Sequence, residues 1–153
     1  MKSTINVTTE HLEGIIKELD ESNFYNLSKT SRTDLFNFAL ALGLKDGTPT
    51  KLISSKGFIR TENEDVKPYF FLYKSIYYDK ILSENEKDID KITDIDSAFE
   101  LVEKYANTGF YVLSRMKKDL ANEELFTKKI LNEINMIDED YSKKYGVKTL
   151  YTE

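Results

Sequence analysis

Hydrophobic positions along the chain recur mostly every three or four residues, which is the period of an amphipathic α-helix. The clearest such segment is 31–47, which is apolar on nearly every side; Ser31 caps its start, and a turn at Gly43 and Gly47 is expected to end it. A helix without a wide polar stripe must be covered by neighbours on several faces. The sequence therefore predicts a buried central helix around which the rest of the fold packs.

Four further segments carry the same helical period. The predicted helices cover about 9–19, 65–82, 96–118 and 122–145. Gly109 lies inside one of them, where it predicts a close helix crossing or a kink. Residues 50–60 mix apolar residues with Ser and Gly, which favours a short β-hairpin or an irregular loop. Together these elements predict an all-α fold, a compact bundle of about five helices, with at most a short hairpin near 50–60.

The 153 residues predict a single helical domain, because no stretch rich in Gly, Ser or Pro divides them. The long C-terminal amphipathic helix, about 122–145, would reach about 36 Å, which exceeds what a domain of this size needs for its own core. One face of it carries apolar residues at steps of three and four, and we call this face the α-helical seam. Its members are Phe126, Ile130, Ile134, Ile137, Tyr141 and Tyr145. We expect the seam to bind a protein partner.

The residue content narrows the chemistry that is available. The chain has no cysteine, which excludes disulfides, thiolate zinc sites and cysteine nucleophiles. Its single histidine, His11, is expected on the surface of the first helix, and no GxSxG serine, Walker loop or GxGxxG pattern accompanies it. The sequence therefore predicts no catalytic residue, no cofactor, no metal ligand and no enzymatic activity. An enzyme would need a pocket that gathers His11, Arg60 or several acids.

The net charge of −5 is concentrated in residues 79–100, which hold eight acidic residues and three lysines. The acids of 88–96 alternate with isoleucines and lack the spacing of an EF-hand loop, so a solvated link is expected there and not a calcium site. The rest of the chain is neutral overall, which disfavours nucleic-acid binding. The alternative is a small DNA-contacting module built on a basic corner. That corner would consist of Arg115, Lys117, Lys118, Lys128 and Lys129.

The N-terminal sequence carries no apolar targeting segment, and no run approaches the roughly 18 apolar residues of a spanning helix. The absence of cysteine fits a reducing compartment. We therefore expect a cytoplasmic protein with no membrane partner. The oligomeric state stays open, with a homo-oligomer as one alternative.

Two sequence motifs add a family resemblance. The first is 34–47, DLFNFALALGLKDG, a helix of the form D-x-F-x-x-A-x-x-x-G followed by a turn that contains glycine. The second is 103–113, EKYANTGFYVL, with an acidic residue, then Tyr-Ala-Asn, then Gly and a closing Leu. In this order and spacing they resemble the Dnd system-associated protein 4 group, small proteins of bacterial DNA phosphorothioation loci. The resemblance extends over about 30–115 and supplies no catalytic residue.

The resemblance implies an accessory role beside DNA-modification or anti-phage machinery. Combined with the missing catalytic residues and the long C-terminal helix, it predicts a non-enzymatic accessory or adaptor subunit of a bacterial defence system, acting by protein–protein interaction. An open cleft lined by converging ionisable groups would argue against this interpretation.

Overall fold

The structure is a computed structural model that describes residues 1–21, 31–84, 94–120 and 122–145. These residues are mainly helical, as predicted. The elements in chain order are β1 (Thr4–Thr8), α1 (Thr9–Glu13), α2 (Ile15–Glu21), α3 (Arg32–Asp46), β2 (Ser55–Arg60), α4 (Phe70–Ser83), α5 (Ile95–Asp119) and α6 (Glu123–Tyr145). β1 and β2 form a two-stranded antiparallel sheet, so the prediction of an all-α fold is incomplete.

Helix α3 is largely buried, as the sequence predicts, but it packs mainly against α5, and α5 is the helix that contacts most of the other described elements. The Ser31 hydroxyl accepts the backbone N–H of Asp34 at 3.1 Å, which fixes the start of the helix. Gly47 ends it with a left-handed backbone, φ 88°, and donates its N–H to the carbonyl of Gly43. The helix therefore runs past Gly43, which does not end it as expected. The buried residues of α3 are Thr33, Leu35, Phe36, Ala39, Leu40, Leu42 and Gly43.

Helices α3 and α5 cross at two glycines. A Cβ atom added at Gly109 would lie 1.7 Å from the backbone oxygen of Ala39, and one added at Gly43 would lie 1.7 Å from the backbone oxygen of Tyr105. Only glycine permits such an approach between two backbones. The close crossing predicted from Gly109 is thus confirmed, and the two motifs of the family resemblance meet at this point.

The sheet corrects the hairpin that was predicted near 50–60. β2 does not fold back on a neighbouring strand; it pairs with β1, where Ile5 lies opposite Ile59 and Thr8 lies opposite Ser55. In β1 the side chains of Ile5 and Val7 are buried, which is half of the alternating pattern of a strand. The pattern covers only five residues and is followed at once by a helix, so the sequence did not predict a strand here.

The predicted first helix, 9–19, is interrupted at Gly14, which separates α1 from α2. The other predicted helices end within a few residues of α4, α5 and α6. α5 starts after Asp94, whose carboxylate accepts the N–H of Asp96 at 3.0 Å. Most of the solvated link predicted at 88–96 lies outside the described residues.

Aromatic side chains from successive helices meet in the core. Tyr73 of α4 packs edge-on against Phe36 of α3, with 6.3 Å between ring centroids, and against Phe99 of α5, at 6.2 Å. All three side chains are fully buried. The Tyr73 hydroxyl donates to Oδ1 of Asn37 at 2.8 Å, which satisfies its polar end inside the protein.

Candidate functional site

His11 lies in the interior of the protein, so the prediction of a surface histidine is wrong. Its side chain is 2% exposed. Nε2 of the ring lies 2.8 Å from Oδ1 of Asn107 in α5, and the ring meets Tyr111 edge-on with 4.4 Å between centroids. Asn107 is 96 residues away along the chain, so no local pattern around His11 could indicate this partner.

The hydrogen bonds of Asn107 fix the proton on His11. Nδ2 of Asn107 donates to the carbonyls of Thr50 and Lys51, each at 3.2 Å. Oδ1 is therefore the acceptor, and it faces the Thr8 hydroxyl and Nε2 of His11, each at 2.8 Å. Nε2 must carry the proton, which leaves a lone pair on Nδ1. Burial lowers the pKa of His11 below 6.5, with the Asn107 contact offsetting part of the shift, which favours the neutral ring.

An open cleft of about 550 Å³ lies beside His11, between α1–α2 and the C-terminal part of α5. Its ionisable lining consists of Glu10, His11 and Glu18 on the α1–α2 side and Arg115, Lys117 and Lys118 on the α5 side. Tyr111 and Ser114 add hydroxyl groups. This convergence of ionisable groups was not predicted, and it is the observation named above as arguing against a non-enzymatic adaptor. Arg60, which the sequence analysis named beside His11, does not line the cleft and lies 3.7 Å from Glu62.

The five residues of the predicted basic corner fall into two groups. Three of them line the cleft, namely Arg115, Lys117 and Lys118. The other two lie on α6, where Lys128 pairs with Glu124 at 3.0 Å and Lys129 with Glu133 at 3.2 Å. Paired charges on one helix contribute little net positive potential, so the described part of the corner is a mixed patch. The DNA-contacting alternative stays a prediction.

Glu103 is a buried carboxylate that holds the N-terminal strand against α5. Its oxygens accept from Nζ of Lys2 at 2.6 and 2.8 Å and from the N–H of Asn6 at 2.7 Å. Burial raises the pKa of the Glu103 carboxyl, and the bonds from Lys2 and Asn6 offset part of the rise. These partners all belong to the chain itself, so Glu103 positions β1, which leads directly into α1 and the cleft.

Helix α4 exposes an apolar face on the side opposite Tyr73. Phe71 is 80% exposed, Leu82 55% and Tyr78 40%. Tyr78 follows Phe71 by seven residues and Leu82 follows Tyr78 by four, so the three side chains lie on one side of the helix. Ser75 lies between Phe71 and Tyr78 on the same side. We call these four residues the α4 outer face. Contiguous exposed apolar side chains mark interaction sites more often than isolated ones do.

Four tyrosines lie on α4 and in the turn just before it, namely Tyr69, Tyr73, Tyr77 and Tyr78. Tyr73 is fully buried, Tyr69 stacks on it with 6.4 Å between ring centroids, and Tyr77 is partly buried. Tyr78 belongs to the α4 outer face. These tyrosines therefore divide between the core and the surface of the protein.

Phe126, the first residue of the predicted seam, belongs to the protein's own core. It is fully buried, and Nζ of Lys117 lies 5.3 Å from its ring centroid. An ion pair between Lys45 of α3 and Glu133, at 2.7 Å, also ties α6 to the rest of the protein. Phe126 is therefore not a partner contact, contrary to its predicted role, because its own chain covers it.

The remaining members of the seam differ in exposure. Ile130 and Ile137 are partly buried and pack against the core, whereas Ile134 is exposed. The side chains of Tyr141 and Tyr145 lie outside the described part of the protein. A partner-binding role for these five residues stays a prediction, with Ile134 as the member that the structure leaves accessible.

Metal and membrane sites are absent from the part of the chain that the structure describes. Within it, no three His, Asp or Glu side chains are grouped so that they could hold a metal ion. Within the same residues, no helix combines the length and the apolar character needed to cross a bilayer. Most of the acidic segment 88–96 falls outside them.

Comparisons of this chain with protein-family models, with curated proteins and with solved structures found no match. The resemblance of 34–47 and 103–113 to the Dnd-associated group therefore rests on those motifs alone.

Proposed function

We propose that this protein is a non-enzymatic accessory or adaptor subunit of a bacterial DNA-modification or anti-phage defence system, and that it binds another protein through the α4 outer face. The observation that carries the proposal is the 80% exposure of Phe71 at the start of an apolar stripe that continues to Leu82. Burying a side chain of this kind contributes about 1.5–3 kcal/mol. A partner that covers the stripe would gain this free energy at several positions.

In this proposal the helices form one compact bundle built on the packing of α3 against α5, and the occupant of the α4 outer face is an amphipathic helix of the partner. Two exposed residues of opposite charge, Lys74 and Asp79, flank the stripe on its two sides at about 100° per residue. Neither forms an ion pair with another described residue. A helix laid along the stripe would cover Phe71 and Leu82 and would place an acid beside Lys74 and a base beside Asp79.

The described contacts of His11 tie its ring to the chain itself. A general base must lie about 2.6–3.2 Å from the group whose proton it takes. His11 uses Nε2 to bind Asn107, and no hydroxyl among the described residues, including that of Ser114 in the cleft, donates to Nδ1. No nucleophile and base are paired there.

The link to defence machinery rests on the family resemblance. Its two motifs, 34–47 and 103–113, contribute the glycines of the α3–α5 crossing and the buried polar residues that hold β1. Motifs made of packing residues support a shared fold and genomic setting. They do not supply a reaction, which agrees with an accessory role.

Co-purification from the native host tests the proposal. Tagged wild-type protein is compared with Phe71→Lys and with Ile53→Lys, a control at a residue that is 66% exposed outside α4. We expect the product of a neighbouring defence gene to be recovered with the wild type and the control, and to fall about tenfold or more with Phe71→Lys, as at a binding hot spot. Unchanged recovery with Phe71→Lys, or recovery of this chain alone, contradicts the proposal.

The predicted seam on α6 is tested in the same assay. Ile134→Lys places a charge on its accessible member and leaves the buried Phe126 in place. If the seam binds the partner as predicted, recovery should fall with Ile134→Lys, and unchanged recovery would leave the docking to the α4 outer face alone. A loss with Ile134→Lys and none with Phe71→Lys would assign the docking surface to α6.

A further inference from the structure

The cleft beside His11 has two walls of opposite chemistry. The α1–α2 wall carries hydrogen-bond acceptors, which are the carboxylates of Glu10 and Glu18 and the His11 ring, whose Nδ1 has no donor among the described residues. The α5 wall presents cationic donors. These are Arg115, Lys117 and Lys118. A molecule that satisfies both walls needs an anionic group at one end and an N–H donor at the other.

The two walls do not neutralise each other. Among the described residues, no ion pair within 4.0 Å joins Glu10 or Glu18 to a cation of α5. Lys117 places its Nζ over the ring of Phe126 instead, 5.3 Å from the centroid. Flexible side chains of opposite charge that line one cleft without pairing leave space between them for a third group.

His11 gives the acceptor wall a fixed atom. Its ring is held by Asn107 through Nε2 and by the edge of Tyr111. No donor among the described residues reaches Nδ1, and this atom is not one of the buried polar atoms that lack a partner. A neutral ring with an oriented lone pair accepts from an ammonium group without repelling its charge.

The geometry points to the cleft as a binding site for a small zwitterion that carries a phosphate group and a protonated amine. The phosphate binds Arg115 and Lys118, because charge-assisted bonds from Arg and Lys to phosphate are strong and two or three cations match a dianion. The amine donates to Glu10 or Glu18 and to Nδ1 of His11. The volume of about 550 Å³ lies in the range of small-molecule sites.

The cations of the α5 wall also stabilise the end of their own helix. This role does not explain why acceptor groups lie opposite them across the cleft. Lys117 and Lys118 lie in the last turn of α5, where positive charge offsets the negative end of the helix dipole. That role needs no opposing wall of acceptors. The presence of Glu10, Glu18 and His11 across the cleft is what indicates a ligand with two kinds of group.

Titration of the full chain with three small molecules tests the site by calorimetry and by amide shifts in NMR spectra. Phosphoethanolamine carries both groups, inorganic phosphate carries only the anion, and ethanolamine carries only the amine. We expect phosphoethanolamine to bind about tenfold or more tightly than either of the others, since each wall adds affinity. Equal affinity for phosphoethanolamine and inorganic phosphate, or no binding of any of the three, overturns the proposal.

Matched pairs of variants separate the site from overall charge. Arg115→Ala with Lys118→Ala removes two cations from the cleft, and Lys128→Ala with Lys129→Ala removes two from α6. We expect the first pair to weaken phosphoethanolamine binding about tenfold and the second to change it less than about twofold. All four residues are exposed, so circular dichroism should show folded variants. Equal weakening by both pairs overturns the proposal.

Glu18→Gln tests the acceptor wall by itself. It should weaken the binding of phosphoethanolamine and leave that of inorganic phosphate unchanged. Equal effects on the two molecules would contradict an amine subsite. The cleft shares no residue with the α4 outer face, so these results do not depend on the docking proposal.

Discussion

Helices α4 and α5 pack against each other but distribute polarity in opposite ways. α5 buries Glu103, Asn107 and Thr108, each no more than 6% exposed, whereas α4 exposes Phe71 and Leu82. The buried polar groups of α5 all have hydrogen-bond partners within the chain. The exposed apolar side chains of α4 are not covered by any described residue. The polar groups of α5 are satisfied within the fold, whereas the apolar face of α4 is the surface on which the docking proposal rests.

The polar groups of α5 hold the N-terminal part of the protein in place. Asn107 binds Thr8 at the end of β1 and His11 in α1, and Thr108 donates to the carbonyl of Thr48 at 2.6 Å. Because α1 follows β1 directly, these bonds also set the position of the cleft wall that carries Glu10. α5 thus connects the packing of the core to the candidate ligand site.

The largest expected effect concerns the two sides of α4. Tyr73→Ala should lower the free energy of unfolding by about 4 kcal/mol, because it empties a fully buried aromatic site. Phe71→Ala should lower it by less than about 0.5 kcal/mol, because the ring it removes is in water. Urea unfolding followed by circular dichroism measures both. Similar losses would mean that the protein's own chain covers Phe71, and the contrast with α5 would fail.

The second largest change in the free energy of unfolding is expected at the crossing of α3 and α5. Gly109→Ala should lower the free energy of unfolding by about 3 kcal/mol, because the new Cβ meets the backbone of Ala39, which cannot rotate away. Gly57→Ala is the control. Its Cβ would meet only the side chain of Thr4, at 3.2 Å, and a change within about 1 kcal/mol is expected. If both variants unfold at the same urea concentration, the close crossing is not present in solution.

A smaller effect is expected at Asn107. Asn107→Ala should cost about 2 kcal/mol, because Thr8 and His11 lose their acceptor while they remain buried. Asn132→Ala, at an exposed position of α6, is the matched control and should be nearly neutral. Thermal unfolding of the two variants compares them. A neutral Asn107→Ala would show that water replaces the network and that α5 does not position α1.

The smallest effect is a dependence on pH that arises at His11. Burial lowers the pKa of the folded histidine, so below about pH 6.5 the unfolded chain binds a proton that the folded protein resists. Stability should fall as the pH decreases from about 7, by no more than about 1.4 kcal/mol per pH unit for one proton. His11→Gln retains an N–H that can donate to Asn107 and should remove this contribution.

The measurement is the difference in free energy of unfolding between the wild type and His11→Gln at several pH values. Burial shifts the pKa of Glu103 upward, which acts in the opposite direction, but that carboxyl is present in both proteins and cancels in the difference. A difference that does not vary with pH would mean that His11 is not buried in the folded protein.

Local sequence patterns were sufficient for the elements that depend on near neighbours. The cap of α3 at Ser31 involves a residue three positions away, and its end at Gly47 involves one four positions away. The apolar period of α6 likewise lies within the helix. Gly109 could be interpreted because a glycine inside a strong helical pattern usually indicates a close approach.

The features that escaped prediction depend on residues far apart in the sequence. β1 is a strand because β2 pairs with it, and His11 is buried because Asn107 accepts its N–H. The cleft exists only when α1–α2 and α5 lie side by side. Phe126 shows what helical periodicity cannot predict. An apolar stripe indicates that its side chains are buried, but not whether the same chain or a partner protein covers them.

Thiol labelling tests most directly whether a partner covers the α4 outer face in the cell. The chain has no cysteine, so Ser75→Cys places a single thiol in the middle of that face, and Ser55→Cys places one on exposed β2 as a control. We predict that a maleimide labels Ser75→Cys about tenfold or more slowly in native-host extract than in purified protein, whereas Ser55→Cys reacts equally in both. Equal rates for Ser75→Cys in extract and in purified protein would contradict the account.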